Sequence, residues 1–118
     1  MSKIFLYSLF SLVLAISTTQ SVNAEEGIAA YYSDVFQGKK TASGELYDRD
    51  ELTAAHKTLP YGTKVKVIHL KNDKSVIVTI TDRGPFTKNR IIDLSYAAAQ
   101  EIELIKVGIS KVRLEILK

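Results

Sequence analysis

A chain with no cysteine cannot be stapled by disulfides or by thiolate–metal bonds, and this one has none in 118 residues. The constraint tightens because the N-terminus does not read as part of the fold. Met1 to Lys3 is weakly positive, Ile4 to Ile16 is almost wholly apolar, and Val22-Asn-Ala24 is a small-residue exit before Glu25. Charge, apolar run and small-residue site in that order read as a secretory leader over Met1 to Ala24. As a retained anchor, the apolar run is short against the ~20 residues needed to span a bilayer. Cleavage after Ala24 leaves residues 25–118, 94 in all. One domain of that size is near the lower limit for folding alone, so its stability must come from a single compact apolar core. The expected location is the periplasm or the exterior, with no stable membrane insertion after cleavage.

Charge excludes one class of partner. Without Lys3, 15 basic residues face 13 acidic ones, a net charge of +2. No Lys/Arg run or basic–aromatic interleaving occurs, so nucleic-acid binding is not expected, whereas an anionic polymer is tolerated.

Strand signals dominate what remains. Gly27 to Ser33 reads as a first strand, Asp34 to Gly44 as a polar loop, and Thr53 to His56 as a short extended piece. That piece leads to the turn Leu59-Pro-Tyr-Gly62. Lys64 to Leu70 places Val65 and Val67 on one face, and Ser75 to Thr81 does the same with Val76, Val78 and Ile80. Lys71-Asn-Asp-Lys74 between them makes an antiparallel hairpin. Asp82-Arg-Gly-Pro-Phe86 breaks the pattern, since Pro85 cannot donate to a ladder. Ile91 and Ile92 form a brief strand, Ser95 is a good N-cap for a helix over Tyr96 to Ile105, and Ser110 to Leu117 is a last strand with Val112, Leu114 and Ile116 inward. Many short strands and one helix, with too little chain for two packed sheets, predict a small closed barrel, because closure removes vulnerable edges.

Five short motifs then stand in order: Thr41-Ala-Ser-Gly-Glu45, Leu52-Thr-Ala-Ala-His56, Leu59-Pro-Tyr-Gly-Thr63, Thr81-Asp-Arg-Gly-Pro-Phe86 and Arg90-Ile-Ile-Asp-Leu-Ser95. In that order and spacing the chain resembles the rare lipoprotein A family from Gly27 to Leu117. The resemblance implies a mainly β fold, a six-stranded double-psi β-barrel with one short α-helix, shared with expansins and barwin-like proteins. It also implies a lytic transglycosylase that cuts the MurNAc–GlcNAc bond of peptidoglycan glycan strands, peptide-poor ones in particular, and leaves 1,6-anhydro-MurNAc ends. The alternative is a non-catalytic, expansin-like glycan-binding protein. A lipid-carrying cysteine and the binding repeat of many relatives have no counterpart in these residues, and a monomer is expected.

The chemistry needs an acid to protonate the leaving oxygen and a base to help the muramoyl C6 hydroxyl close on its own anomeric carbon. One carboxyl group can do both, so no protein nucleophile, metal or cofactor is required. Asp82, where a strand gives way to a Gly-Pro loop, matches the family's functional aspartate; read alone, it is as well suited to cap a turn. Glu45 and His56 match its other functional positions, as partner carboxylate and as a donor to a carboxylate or sugar hydroxyl. Their plain alternatives are a solvated loop glutamate and a histidine bonded to backbone. Arg83, Phe86, Tyr32, Thr53 and Ser43 are candidate sugar contacts; Arg83 could pair internally, the aromatics could fill core, and Thr53 and Ser43 could cap turns. His69 matches no site and reads as structural. Asp93 reads as structural too, either favouring the helix start at Ser95 or pairing with Arg83 or Arg90.

Overall fold

The computed structural model describes residues 24–118. The expected leader lies outside them except for Ala24, which opens the first strand. Six strands close a barrel: β1 (Ala24–Tyr31), β2 (Thr53–Ala55), β3 (Lys64–His69), β4 (Ser75–Asp82), β5 (Arg90–Leu94) and β6 (Ser110–Ile116). One helix, α1 (Tyr96–Glu101), and a 3-10 turn at Asp34–Phe36 complete the fold. The order around the barrel is β1-β5-β2-β4-β3-β6. β1 and β5 run parallel, as do β2 and β4, and the other pairs are antiparallel. This is the double-psi β-barrel with one short helix. Among the described residues no helix is long and apolar enough to cross a membrane.

The alternating strands deliver the core. Val65, Val67, Val76, Val78, Ile80, Ile92, Leu94, Val112 and Leu114 are buried together, closed at one end by Ala98, Ala99, Ile102 and Leu104. Each large aliphatic side chain fully buried contributes about 1.5–3 kcal/mol. His69 is buried with them, its Nδ1 2.7 Å from the Ile102 carbonyl and its Nε2 2.9 Å from Ser110 Oγ, which ties the β3–β4 hairpin to the end of the helix.

Two bulges aim the functional end. On β4, Ile80 faces Ala54 but Asp82 faces Ala55, so Thr81 is the extra residue. On β5, Arg90 faces Ile28 but Ile92 faces Ala29, so Ile91 is extra. A bulge bends its strand and redirects the residues after it. Gly27 makes room for the second, since a Cβ there would stand 2.6 Å from Ile91 Cγ2.

The helix is shorter than its composition predicts. Ser95 caps it as expected, its Oγ accepting from Ala98 N at 3.2 Å. Beyond Glu101 the amides of Glu103 and Leu104 turn back to the carbonyls of Gln100 and Ala99. That pair of bonds is a Schellman stop, and Glu103 takes the left-handed position at φ 59. A glycine normally sits there. The side-chain pair lost on substitution, Lys74 to Glu103 at 3.3 Å, is exposed and worth little. Glu103→Gly is therefore expected to stabilise the fold by about 1 kcal/mol, seen as a rise of roughly 4–8 °C in the thermal midpoint.

Candidate active site

The C-terminal end of β4, the loop after it and the start of β5 open onto a groove of about 490 Å³. Asp82, Arg83, Phe86, Arg90 and Asp93 line it from β4, that loop and β5, Tyr31 and Tyr32 from the end of β1, and Phe36 from the 3-10 turn. Gly84 shapes the loop: at φ 120 it adopts a backbone conformation closed to other residues, which sets Phe86 out at 84% exposed.

Asp82 is half-buried and held at both oxygens. Oδ1 accepts from the amides of Ala42 (2.8 Å) and Arg83 (2.9 Å). Oδ2 accepts from the Tyr32 hydroxyl. Burial first, then that hydrogen bond and the charge of Asp82, push the Tyr32 hydroxyl far above the ordinary phenol range, so it stays a donor. The Tyr32 ring is fixed in turn, stacked on the buried Tyr47 at 4.6 Å and edge-on to Phe36 at 5.7 Å.

The second carboxylate of the groove is Asp93. It pairs with Arg90 at 2.8 Å, one of the two arginines the sequence offered. Burial raises its pKa against the pull of Arg90, and Asp82 adds to the rise. The folded chain therefore holds this proton more tightly than the unfolded chain. The resulting stability is present in acid and falls as pH rises from the ordinary Asp value of 3.8 through the raised one. Asp93→Asn lacks that loss. Its thermal midpoint relative to the wild type is expected to climb as pH rises above 3.8 and then level off, as thermal scans across pH would record.

The other two catalytic candidates sit differently from expectation. His56 joins the site through its main chain: its amide donates to the Asp82 carbonyl (3.1 Å), and its carbonyl accepts from Arg83 Nη1 (3.1 Å). Its ring does not face the groove. It is buried in a separate cavity of about 190 Å³ lined by Glu25, Thr58, Leu59 and Leu114. Nδ1 accepts from the amides of Thr58 (3.1 Å) and Leu59 (3.2 Å), so the proton of the neutral ring is on Nε2, which donates to Glu25 Oε1 at 3.0 Å. The carboxylate that His56 serves is thus Glu25, and the turn it clamps is the one the Leu59-Pro60 motif begins.

Glu45 is exposed, and its carboxylate bonds no other described residue. Its loop nonetheless arches over Asp82, held there by Ala42 N and by the Ser43 amide on the Thr81 carbonyl (3.2 Å).

The sugar-contact candidates divide. Tyr32, Arg83 and Phe86 line the groove. Arg83 pairs with no acid among the described residues and lies over the Tyr61 ring at 4.2 Å. Ser43 is spent on its own loop, bonding Thr41 Oγ1 (3.0 Å) and the Glu45 amide (3.3 Å). Thr53 is a ladder residue of β2, opposite Thr79. Sequence reasoning missed Phe36 and Lys40 in the lining and gave Asp93 no part in the groove. Among the described residues no cluster of three or more His, Asp or Glu is placed to hold a metal ion.

A family profile described as "Lytic transglycolase" matches residues 24–114. The endolytic peptidoglycan transglycosylase RlpA of Pasteurella multocida is 55% identical over 95 residues, 80% of this chain and 32% of that protein. Its counterpart in Campylobacter jejuni is 53% identical over 92 residues, 78% of this chain and 34% of the relative. The chain spans about a third of the length of the curated relatives it matches. Among solved structures, a Streptomyces papain inhibitor aligns with a TM-score of 0.65 at 23% identity, covering 80% of this chain and 94% of the inhibitor. An expansin of Clavibacter michiganensis aligns at 0.63 and 21% identity, covering 80% of this chain and 50% of its own. At such identity the likeness is one of fold alone.

Proposed function

Because the chain belongs to the lytic transglycolase family, we propose that it cleaves the MurNAc–GlcNAc bond of peptidoglycan glycan strands and closes the cut muramoyl unit into a 1,6-anhydro ring. Peptide-poor strands are its substrate and the periplasm or cell exterior its place of work, as a monomer released from its leader. One observation carries the reading: the carboxyl group of Asp82 stands in an open groove with one oxygen tied to two main-chain amides and the other beside a tyrosine hydroxyl.

That asymmetry divides the labour. Oδ1 is committed as an acceptor, so Oδ2 is the oxygen that carries and releases the proton. It gives the proton to the leaving oxygen of GlcNAc as the glycosidic bond breaks. The Tyr32 hydroxyl then stabilises the carboxylate left behind. Asp82 next takes the proton of the muramoyl C6 hydroxyl as that oxygen bonds the anomeric carbon, which returns the group to its starting state without water. Asp93 sits in the same groove, where its ionised form faces positive charge building on the sugar ring. Arg83, free of any acid partner among the described residues, faces the lactyl carboxylate, and Phe86 and Tyr32 offer apolar surface to the sugar rings. His56 acts by position, holding the main chain that receives Asp82 and Arg83. Glu45, exposed on the loop that arches over Asp82, supplies a further carboxylate to the substrate.

The test is digestion of intact and amidase-stripped peptidoglycan with residues 25–118, followed by mass spectrometry. Anhydro-muramoyl ends, more abundant from stripped strands, are the expected products. Retention on glycan without any product would replace this reading with the expansin-like one.

A further inference from the structure

We propose that a second depression, on the flank of α1, is a glycan-binding site that takes the strand where it leaves the Asp82 groove. The inference rests on the reading above. The depression measures about 500 Å³, the same size as the groove, and is lined by Tyr96, Gln100, Glu103, Ile105 and Lys106. Both are within the range of sites that bind small ligands.

Continuity fixes the occupant. Tyr31 lines the Asp82 groove, its ring meets Tyr96 edge-on at 6.2 Å, and its hydroxyl donates to the Ile105 carbonyl at 3.1 Å. Tyr96 and Ile105 are walls of the second depression. One pair of aromatic rings therefore separates the two, and a linear polymer passing over that pair goes from one to the other. A strand cut within its length extends on both sides of the broken bond, so a surface beyond the groove has a chain to bind.

The chemistry of the depression suits an N-acetylated, carboxylate-bearing sugar. Gln100 is exposed, and its side-chain amide bonds nothing else among the described residues, leaving a donor and an acceptor for an acetamide or a hydroxyl. Lys106 is exposed and pairs with no acid among the described residues, leaving a cation for a lactyl carboxylate. Ile105 gives apolar contact. Tyr96 is a rigid wall, because the Arg49 guanidinium lies 3.9 Å over its ring and is itself held by Asp34 at 2.9 Å. That wall needs no ordering on binding.

The double variant Gln100→Ala with Lys106→Ala tests this, since neither residue touches the core or the Asp82 groove. On long, peptide-free strands its kcat/KM is expected to fall about tenfold, chiefly through KM. On a tetrasaccharide too short to reach α1 it is expected to equal the wild type. Equal loss on both substrates, or none on the long one, overturns the proposal. Amide NMR gives an independent readout: titration of the Asp82→Asn domain with long strands should shift Tyr96, Gln100 and Lys106, and the tetrasaccharide should leave them unmoved. Absence of products from the wild type would defeat the cleavage reading, and the second site would then stand or fall on those shifts.

Discussion

Asp82→Asn is expected to lower kcat by about 10²- to 10⁴-fold, the usual share of a positioned acid–base group, while leaving the barrel folded. The asparagine carbonyl still accepts from Ala42 and Arg83, which hold Oδ1 in the native chain. The substitution changes the atom beside the Tyr32 hydroxyl, where an NH₂ replaces the oxygen that carries the proton. One altered hydrogen bond costs about 1 kcal/mol. Thermal unfolding should therefore show a modest drop beside a near-total loss of product, and glycan binding should persist. Tyr32→Phe is a milder version of the same experiment, since it removes the donor that stabilises the spent carboxylate and leaves Asp82 in place.

His56→Ala is expected to give the opposite profile: a large loss of stability and a small loss of turnover in the molecules that remain folded. The substitution empties a buried site and strips the acceptor from two main-chain amides, Thr58 and Leu59. Each amide left without a partner costs about 1–3 kcal/mol. The combined loss, about 2–4 kcal/mol after water reaches part of the opened turn, is a large share of the roughly 5–15 kcal/mol that holds a domain together. Urea titration should show the midpoint moving down. His56→Gln, whose amide oxygen can accept the same N–H groups, should restore part of it. At a temperature where the alanine variant is folded, kcat should fall less than tenfold, because the ring itself does not reach the Asp82 groove. A catalytic His56 would show the reverse, with stability kept and turnover lost.

These two residues mark where the sequence was legible and where it was not. Alternation of Val76, Val78 and Ile80, and of Val112 and Leu114, is a period-two signal that survives in the folded barrel as one buried face. Ser95 announced the helix start through its own side-chain chemistry. Asp82 was marked by position, at the point where a strand meets a Gly-Pro break, and that is where the groove opens. The helix end was not legible, because Ala, Gln, Glu and Leu continue past Glu101 and the stop is made by a glutamate in a backbone conformation that composition does not reveal. The bulges at Thr81 and Ile91 left no mark either, since an extra residue shows only against its partner strand.

The site divides the same way. A motif names residues without saying where their side chains point. His56 stands in the right motif and at the right main-chain place, yet its ring is turned inward to Glu25, and a partner 31 residues away carries no local signal. Asp93 was read as favouring the helix start or pairing with Arg83 or Arg90; it pairs with Arg90, and its place in the groove was missed. Only closure of β5 against β1 and β2 brings it to the same opening as Asp82. No local signal could have found it: three residues apart on a strand, Arg90 and Asp93 would face opposite sides, and it is the extra residue Ile91 that lets them pair.

The central claim is that one carboxyl group moves one proton out and one proton back, so that the sugar's own hydroxyl closes the cut and water never enters. Digestion of peptide-free glycan in ¹⁸O-labelled water reads this directly. The muramoyl ends released by residues 25–118 should carry no label and should be lighter by one water than reducing ends. Labelled reducing ends would mean that solvent, and not the C6 hydroxyl, attacks in the Asp82 groove, and the account given for that carboxylate would be wrong.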